Sequence, residues 1–151
     1  MDDATANVPV LACAIWFHDA VYGLYASDNE EKSADLARDF LTECDVDPKI
    51  AARVADLVIC TKTHEAKGNP DAELMVDIDL SILGADSGTY DQFERDVRAE
   101  YRSVPGFIFS PKRKKILKRF LDRPRIYHTQ FFRDRLETQA GSNLNRAIAG
   151  L

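Results

Sequence analysis

"VPVLACAIWFHDAVY", residues 8–22, decides the fold class. It is apolar on nearly every side as far as Phe17 and then turns polar at adjacent His18 and Asp19. A half-buried strand would alternate. A run of this kind reads instead as a central helix from Val8 to about Tyr22, packed on most sides. The run is too short to span a bilayer, which takes roughly 20 residues. It also lacks the basic start and small-residue cleavage site of a signal peptide. Two polar side chains at the end of a buried helix need a physical reason to be there.

The same helical punctuation continues outward. Asp28 and Glu31 have capping-box spacing before Ala34, Ala37 and Leu41. Asp47-Pro48 supplies a cap and a first-turn proline ahead of Ile50, Val54, Leu57 and Val58. Asn69-Pro70 opens a further helix that runs to Gly84, and Thr89 with Gln92 makes a second capping box before Tyr90, Phe93, Val97 and Tyr101. "SVPGFIFSP" (103–111) reads as a connection, and Ser110-Pro111 then opens a basic amphipathic helix, "SPKRKKILKRF". A last helix carries Phe132, Leu136 and Ala140 and is interrupted at Gly141. No segment alternates with period two, and no composition shift marks a boundary. The expected fold is all-α, a single-domain helical bundle over residues 1–151.

The chain has 151 residues, 45% hydrophobic and 30% charged, enough for a core in a soluble globular domain. Its net charge of −5 argues against nucleic acid as a general partner. Cys13, Cys44 and Cys60 form no CxxC pair, so neither zinc nor a disulfide framework is indicated. They read as buried free thiols in a reducing cytoplasm, with no membrane association expected.

"ELMVDIDLSILG" (73–84) carries the second unusual feature. At about 100° per residue, Met75, Ile78, Ile82 and Leu83 form one stripe, with Asp79 in its middle and Asp77 nearly opposite. A carboxylate on a core-facing stripe is costly unless paired or bound to a cation. Asp79 therefore asks for a cation and Asp77 does not. His18, Asp19 and Asp79 could converge on one metal, with Mn, Fe, Ni, Zn and Mg all suited to such ligands. The competing reading is a capped helix end, with Asp19 exposed and His18 bonded to a carbonyl. His64 and Lys62, at the end of "CTKT", face either a phosphate, a second cation or only a helix C-terminus. His128 reads as a surface residue.

"AIWFHDAVY", "DNEEKSA", "DIDLSILG", "RAEY" and "RPRIYHT" occur in that order. Together, over about residues 11–148, they resemble the metal-dependent phosphohydrolases of the HD-domain superfamily. The resemblance implies a helical bundle in which a His, a His-Asp pair and a distant Asp hold a divalent metal. The pair falls on His18 and Asp19 and the distant Asp on Asp79. The implied substrate is a small phosphorylated molecule, with a nucleotide as one such substrate. Glu31, with Asn29, is then a candidate proton acceptor or water-orienting group, Lys62 and Arg98 are candidate phosphate-facing cations, and His64 joins the catalytic candidates. The family's first metal His lies upstream of the pair, whereas none of the seventeen residues before His18 is a His. Three accounts stay open: an N-terminally short form, another residue such as His64 completing the site, or loss of the metal. A binding module without turnover and an oligomerisation module, such as a homodimer, are the alternatives to an enzyme.

Overall fold

A computed structural model describes residues 7–151. The elements are α1 (Val8–Phe17), α2 (Asn29–Glu43), α3 (Pro48–Thr63), α4 (Pro70–Asp79), a 3₁₀ helix (Leu80–Gly84), α5 (Ser87–Glu100), α6 (Gly106–Leu121) and α7 (Gln130–Gly150). No strand occurs among the described residues, so the chain is all-α. No helix among them is long and apolar enough to cross a membrane. The residues gather into two compact units, one within Met1–Asp79 and one within Leu80–Leu151. Charge divides at the same place, a shift that whole-chain composition conceals. The first segment has 17 acidic and 6 basic residues, a net −11, and the second has 8 and 14, a net +6.

In the first unit α3 packs against α1, α2 and α4. Its buried Ala51, Val54, Ala55 and Val58 meet Val10, Leu11 and Ala14 of α1, Ala34 and Ala37 of α2, and Met75 of α4 in one cluster. The many alanines let the helix axes approach closely. Asp47 caps α3 by accepting from Lys49 N at 2.8 Å, and Asn69 Oδ1 accepts from Asp71 N at 3.0 Å, as the Asp-Pro and Asn-Pro pairs predict.

Several expectations need correcting. The first helix stops at Phe17 rather than near Tyr22, and it is not packed all round: Trp16 is 83% exposed, with Val8 and Ala12 on the same open side. It stops because residues 19–28 are fastened as a loop to α2. Val21 N–H donates to buried Ser33 Oγ (3.0 Å), Ser33 Oγ–H donates to Val21 O (3.3 Å), and Asn29 bonds both polar backbone groups of Gly23. Asp28 sits at the cap of α2 without a side-chain cap bond and pairs instead with Lys32 at 3.0 Å. The helix expected to run to Gly84 tightens to 3₁₀ at Leu80, so the 100° spacing does not extend to Ile82 and Leu83.

In the second unit α7 lies against α5, α6 and the 3₁₀ helix. Asn143, fully buried, donates through Nδ2 to Leu83 O and Ala85 O, both at 2.8 Å, and Tyr127 Oη–H donates to Leu80 O at 3.1 Å. Glu94 ties α5 to α6: Arg113 donates to both its oxygens (3.0 and 2.7 Å), and buried Tyr90 donates to Oε1 at 2.7 Å. Asp86, not Thr89, caps α5, accepting from Gly88 N and Thr89 N. The stretch expected as a connection is helical from Gly106, because Phe109 and Leu117 bury on one side and Pro111 forfeits only a single backbone bond. α7 passes through Gly141 without interruption.

Two glycines in this unit behave oppositely. A Cβ on Gly84 would lie 2.5 Å from Leu136 Cβ and 3.0 Å from Leu136 O, whereas one on Gly141 meets nothing within 4 Å. Gly84→Ala should lower the unfolding free energy by about 1–3 kcal/mol. Gly141→Ala should raise it by about 0.5–1 kcal/mol. Urea unfolding midpoints of the two variants give both signs directly.

Candidate functional site

Four of the sequence-selected residues meet in the first unit. His18 follows α1 directly, and its Nδ1–H donates to Ile15 O at 2.7 Å. That bond turns Nε2 toward two carboxylates, 3.3 Å from Asp19 Oδ2 and 3.4 Å from Asp79 Oδ1. The other oxygen of Asp79, Oδ2, lies 2.9 Å from His64 Nε2. The three elements α1, α3 and α4 thus place His18, His64 and Asp79 in one chain of contacts, with Asp79 in the middle.

His64 reaches that position through an uncommon backbone. It is the C-cap of α3 with φ 55° and ψ 43°, the left-handed region usually held by glycine. A residue with a Cβ costs about 1 kcal/mol there. The hydrogen bond with Asp79 is what the strained residue gains.

The electrostatics follow from the contacts. The hydrogen bond to Asp79, above all, raises His18 to about 9 against the opposing effect of its burial. Burial by itself would push Asp79 up, but the bonds from His18 and His64 hold it down at about 2. Near neutrality the metal-free cluster is therefore an imidazolium between carboxylates. Burial, then the charge of Asp79, pushes the Cys60 thiol up to about 11, and its Sγ–H donates to Leu57 O at 3.0 Å. Cys60 is an inert neighbour in that state. Cys44, expected buried, is exposed.

Placement differs for the remaining candidates. Asp77, expected to face away from the core, is fully buried, while Asp79 retains 22% of its side-chain exposure. The cause is that α4 packs against both α1 and α3, so it has more than one buried side. Asp19 is 78% exposed and touches only the rim of the cluster. Lys62 Nζ donates to Ser27 O at 2.8 Å and to Glu31 Oε1, and the other oxygen of Glu31 is buried with no hydrogen-bond partner. This pair holds the end of α3 to the start of α2 and to the loop after Asp19. Glu31 is held below the usual carboxylate range by Lys62, which makes it a weak base. Asn29 is committed to Gly23, and Arg98 caps α5 by donating to Tyr101 O and Val104 O. His128 is partly buried rather than a surface residue.

The donor set suits a divalent metal in chemistry: two imidazole nitrogens and two carboxylates, with the His18 ring held by the Ile15 carbonyl so that Nε2 faces the carboxylates. Ligands about 2.1 Å from one ion lie roughly 3.0–3.4 Å from each other at tetrahedral or octahedral angles, close to the separations seen here. Among the described residues, however, no three such side chains already surround a point that would hold an ion. The cluster is closed on the His18 proton. No protein-family model matches the chain, and neither the curated proteins nor the solved structures contain a match.

In metal-free buffer the His18–Asp79 pair gives stability a definite pH dependence. His18 is raised, so its contribution is whole below its ordinary 6.5 and is lost as pH climbs through about 9. Asp79 is lowered, so its contribution is present above 3.8 and is lost as pH falls through about 2. Wild type should lose about 2 kcal/mol between pH 6.5 and 10 relative to His18→Asn, which cannot titrate. Chemical unfolding across that range, differenced between the two proteins, measures it.

Proposed function

We propose that the chain is a divalent-metal-dependent hydrolase of a small phosphorylated molecule, with nucleotides the first substrates to try, built on an HD-type helical arrangement. The observation that carries the reading is the contact of His18 and His64 with the two oxygens of Asp79, with Asp19 against the same His18 nitrogen. The HD-domain resemblance supports it, since the His-Asp pair and the distant Asp are the residues in contact.

His18 Nε2, Asp19 and Asp79 would hold the metal. When bound, a divalent ion polarises a phosphoryl oxygen and lowers the pKa of a water. His18 is oriented for the task by Ile15 O, and Asp79 is steadied through its second oxygen by His64. Glu31 and Lys62 act as positioning residues, tying the Ser27 loop to α3 and so fixing the approach to Asp19 and His64. The exposed oxygen of Asp19 leaves the cluster open to a substrate from one side.

A second reading, a module that binds without turnover, is favoured by the lack of three ligands already arranged about one point among the described residues. Metal analysis together with hydrolysis of a generic aryl phosphate and of nucleotides in Mn²⁺ or Ni²⁺ separates the two. Under the enzyme reading, His18→Ala and Asp79→Ala each remove the metal and lower turnover by more than about 100-fold. Unchanged metal content in both variants would sink the shared site. Metal binding that depends on both residues, without turnover of any phosphate ester, would establish the module instead.

A further inference from the structure

Two outward helix faces lie outside the candidate site, and they match each other. On α6, at about 100° per residue, Lys112, Lys115, Lys118 and Arg119 fall within an arc of about 120° opposite buried Leu117. All four are exposed, and none is in an ion pair among the described residues. Exposed Ile108 and Ile116 border this basic row, and Phe107, 81% exposed, stands at its N-terminal end. Isolated surface apolar residues are ordinary. Three beside a row of unpaired cations are not.

On α2, Asp35, Asp39 and Glu43 recur every fourth residue along the exposed side, bordered by exposed Leu36 and Phe40. Asp35 pairs with Arg38 at 2.8 Å, while Asp39 and Glu43 have no ion-pair partner among the described residues. Phe40 touches Phe17 with ring centroids 5.6 Å apart and keeps half its surface in solvent. Each charged row is about 10–12 Å long at 1.5 Å per residue.

We propose that the basic face of α6 docks on the acidic face of α2 in a second copy of the chain. The contact pairs Lys112, Lys115 and Arg119 with Asp35, Asp39 and Glu43, and it covers Ile108 and Ile116 with Leu36 and Phe40. The opposed net charges of the two segments, −11 and +6, act in the same direction over longer range. Because unlike faces meet, two such contacts about a two-fold axis close a dimer, and open repetition gives a longer chain. A nucleic acid would match the cations but not the isoleucines between them. A lipid surface would leave the acidic, apolar face of α2 unused.

Sedimentation velocity on the full chain tests this. In low salt the wild type should sediment at twice the 17.0 kDa monomer mass or more. It should return to monomer in about 1 M salt, where screening shortens to about 3 Å. Lys115→Glu with Arg119→Glu, and separately Asp39→Lys with Glu43→Lys, should each give a folded monomer by circular dichroism. An equimolar mixture of the two variants should associate again, because one then offers an acidic α6 and the other a basic α2. A wild type that stays monomeric in low salt would overturn the proposal, and so would association indifferent to salt or to either pair of substitutions. Failure of the mixture to reassociate also counts against it. A monomer that binds anionic vesicles or duplex DNA through Lys115 and Arg119 assigns the α6 face to that partner instead.

Discussion

A carboxylate largely withdrawn from water is the constraint around which the first half of the chain is arranged. Desolvating such a group costs several kcal/mol unless hydrogen bonds and opposite charge replace the lost solvent. Asp79 receives a hydrogen bond from each of His18 and His64, one to each oxygen, and opposite charge from His18. Each imidazole must then be delivered to a defined place, and the local structure shows what that requires. α1 ends at Phe17 so that His18 lies beyond the helix, with its ring locked by Ile15 O. α3 ends in a left-handed residue so that His64 turns toward Asp79. The strain at His64 and the buried charge at Asp79 are separate costs that one contact offsets.

The supporting layer follows from the same requirement. Residues 19–28 would otherwise leave Asp19 on a free loop. Ser33 and Asn29 bind the backbone of that loop to α2, and the Lys62–Glu31 pair draws its last part to α3. These polar contacts hold few atoms, yet they decide where Asp19 and His18 point. The apolar cluster beneath, rich in alanine, supplies rigidity without bulk.

Much of this was legible in residue order. Helical spacing without period-two alternation gave the all-α class, and Asp47-Pro48 and Asn69-Pro70 marked helix starts correctly, because first-turn chemistry is local. Asp79 stood out because a carboxylate on an apolar stripe is costly wherever the stripe packs. Its neighbour Asp77 was misplaced, since a single helical wheel assumes one buried side and α4 has two. The exposure of Trp16 was hidden for the opposite reason: an all-apolar helix gives no clue to which side is left uncovered. The capping box at Asp28 failed because Asp28 pairs with Lys32 one turn on and Glu31 with the distant Lys62, and the one at Thr89 because Asp86 caps α5 instead. Glu31 and Lys62 were candidates through the family resemblance, but their mutual pairing depends on how α2 meets α3, which periodicity does not specify.

The proposal stands or falls on whether His18, Asp19 and Asp79 hold one metal while His64 bonds to the second oxygen of Asp79. Histidine-ring nitrogen spectra recorded while Zn²⁺ is added to the isotope-labelled full chain test it most directly. The account predicts that the ring nitrogens of His18 and His64 shift together in one saturable step, that those of His128 stay in place, and that the step disappears in Asp79→Asn. Zinc that moves His128 as much as the other two, or moves His18 and His64 in unrelated steps that survive Asp79→Asn, would contradict it.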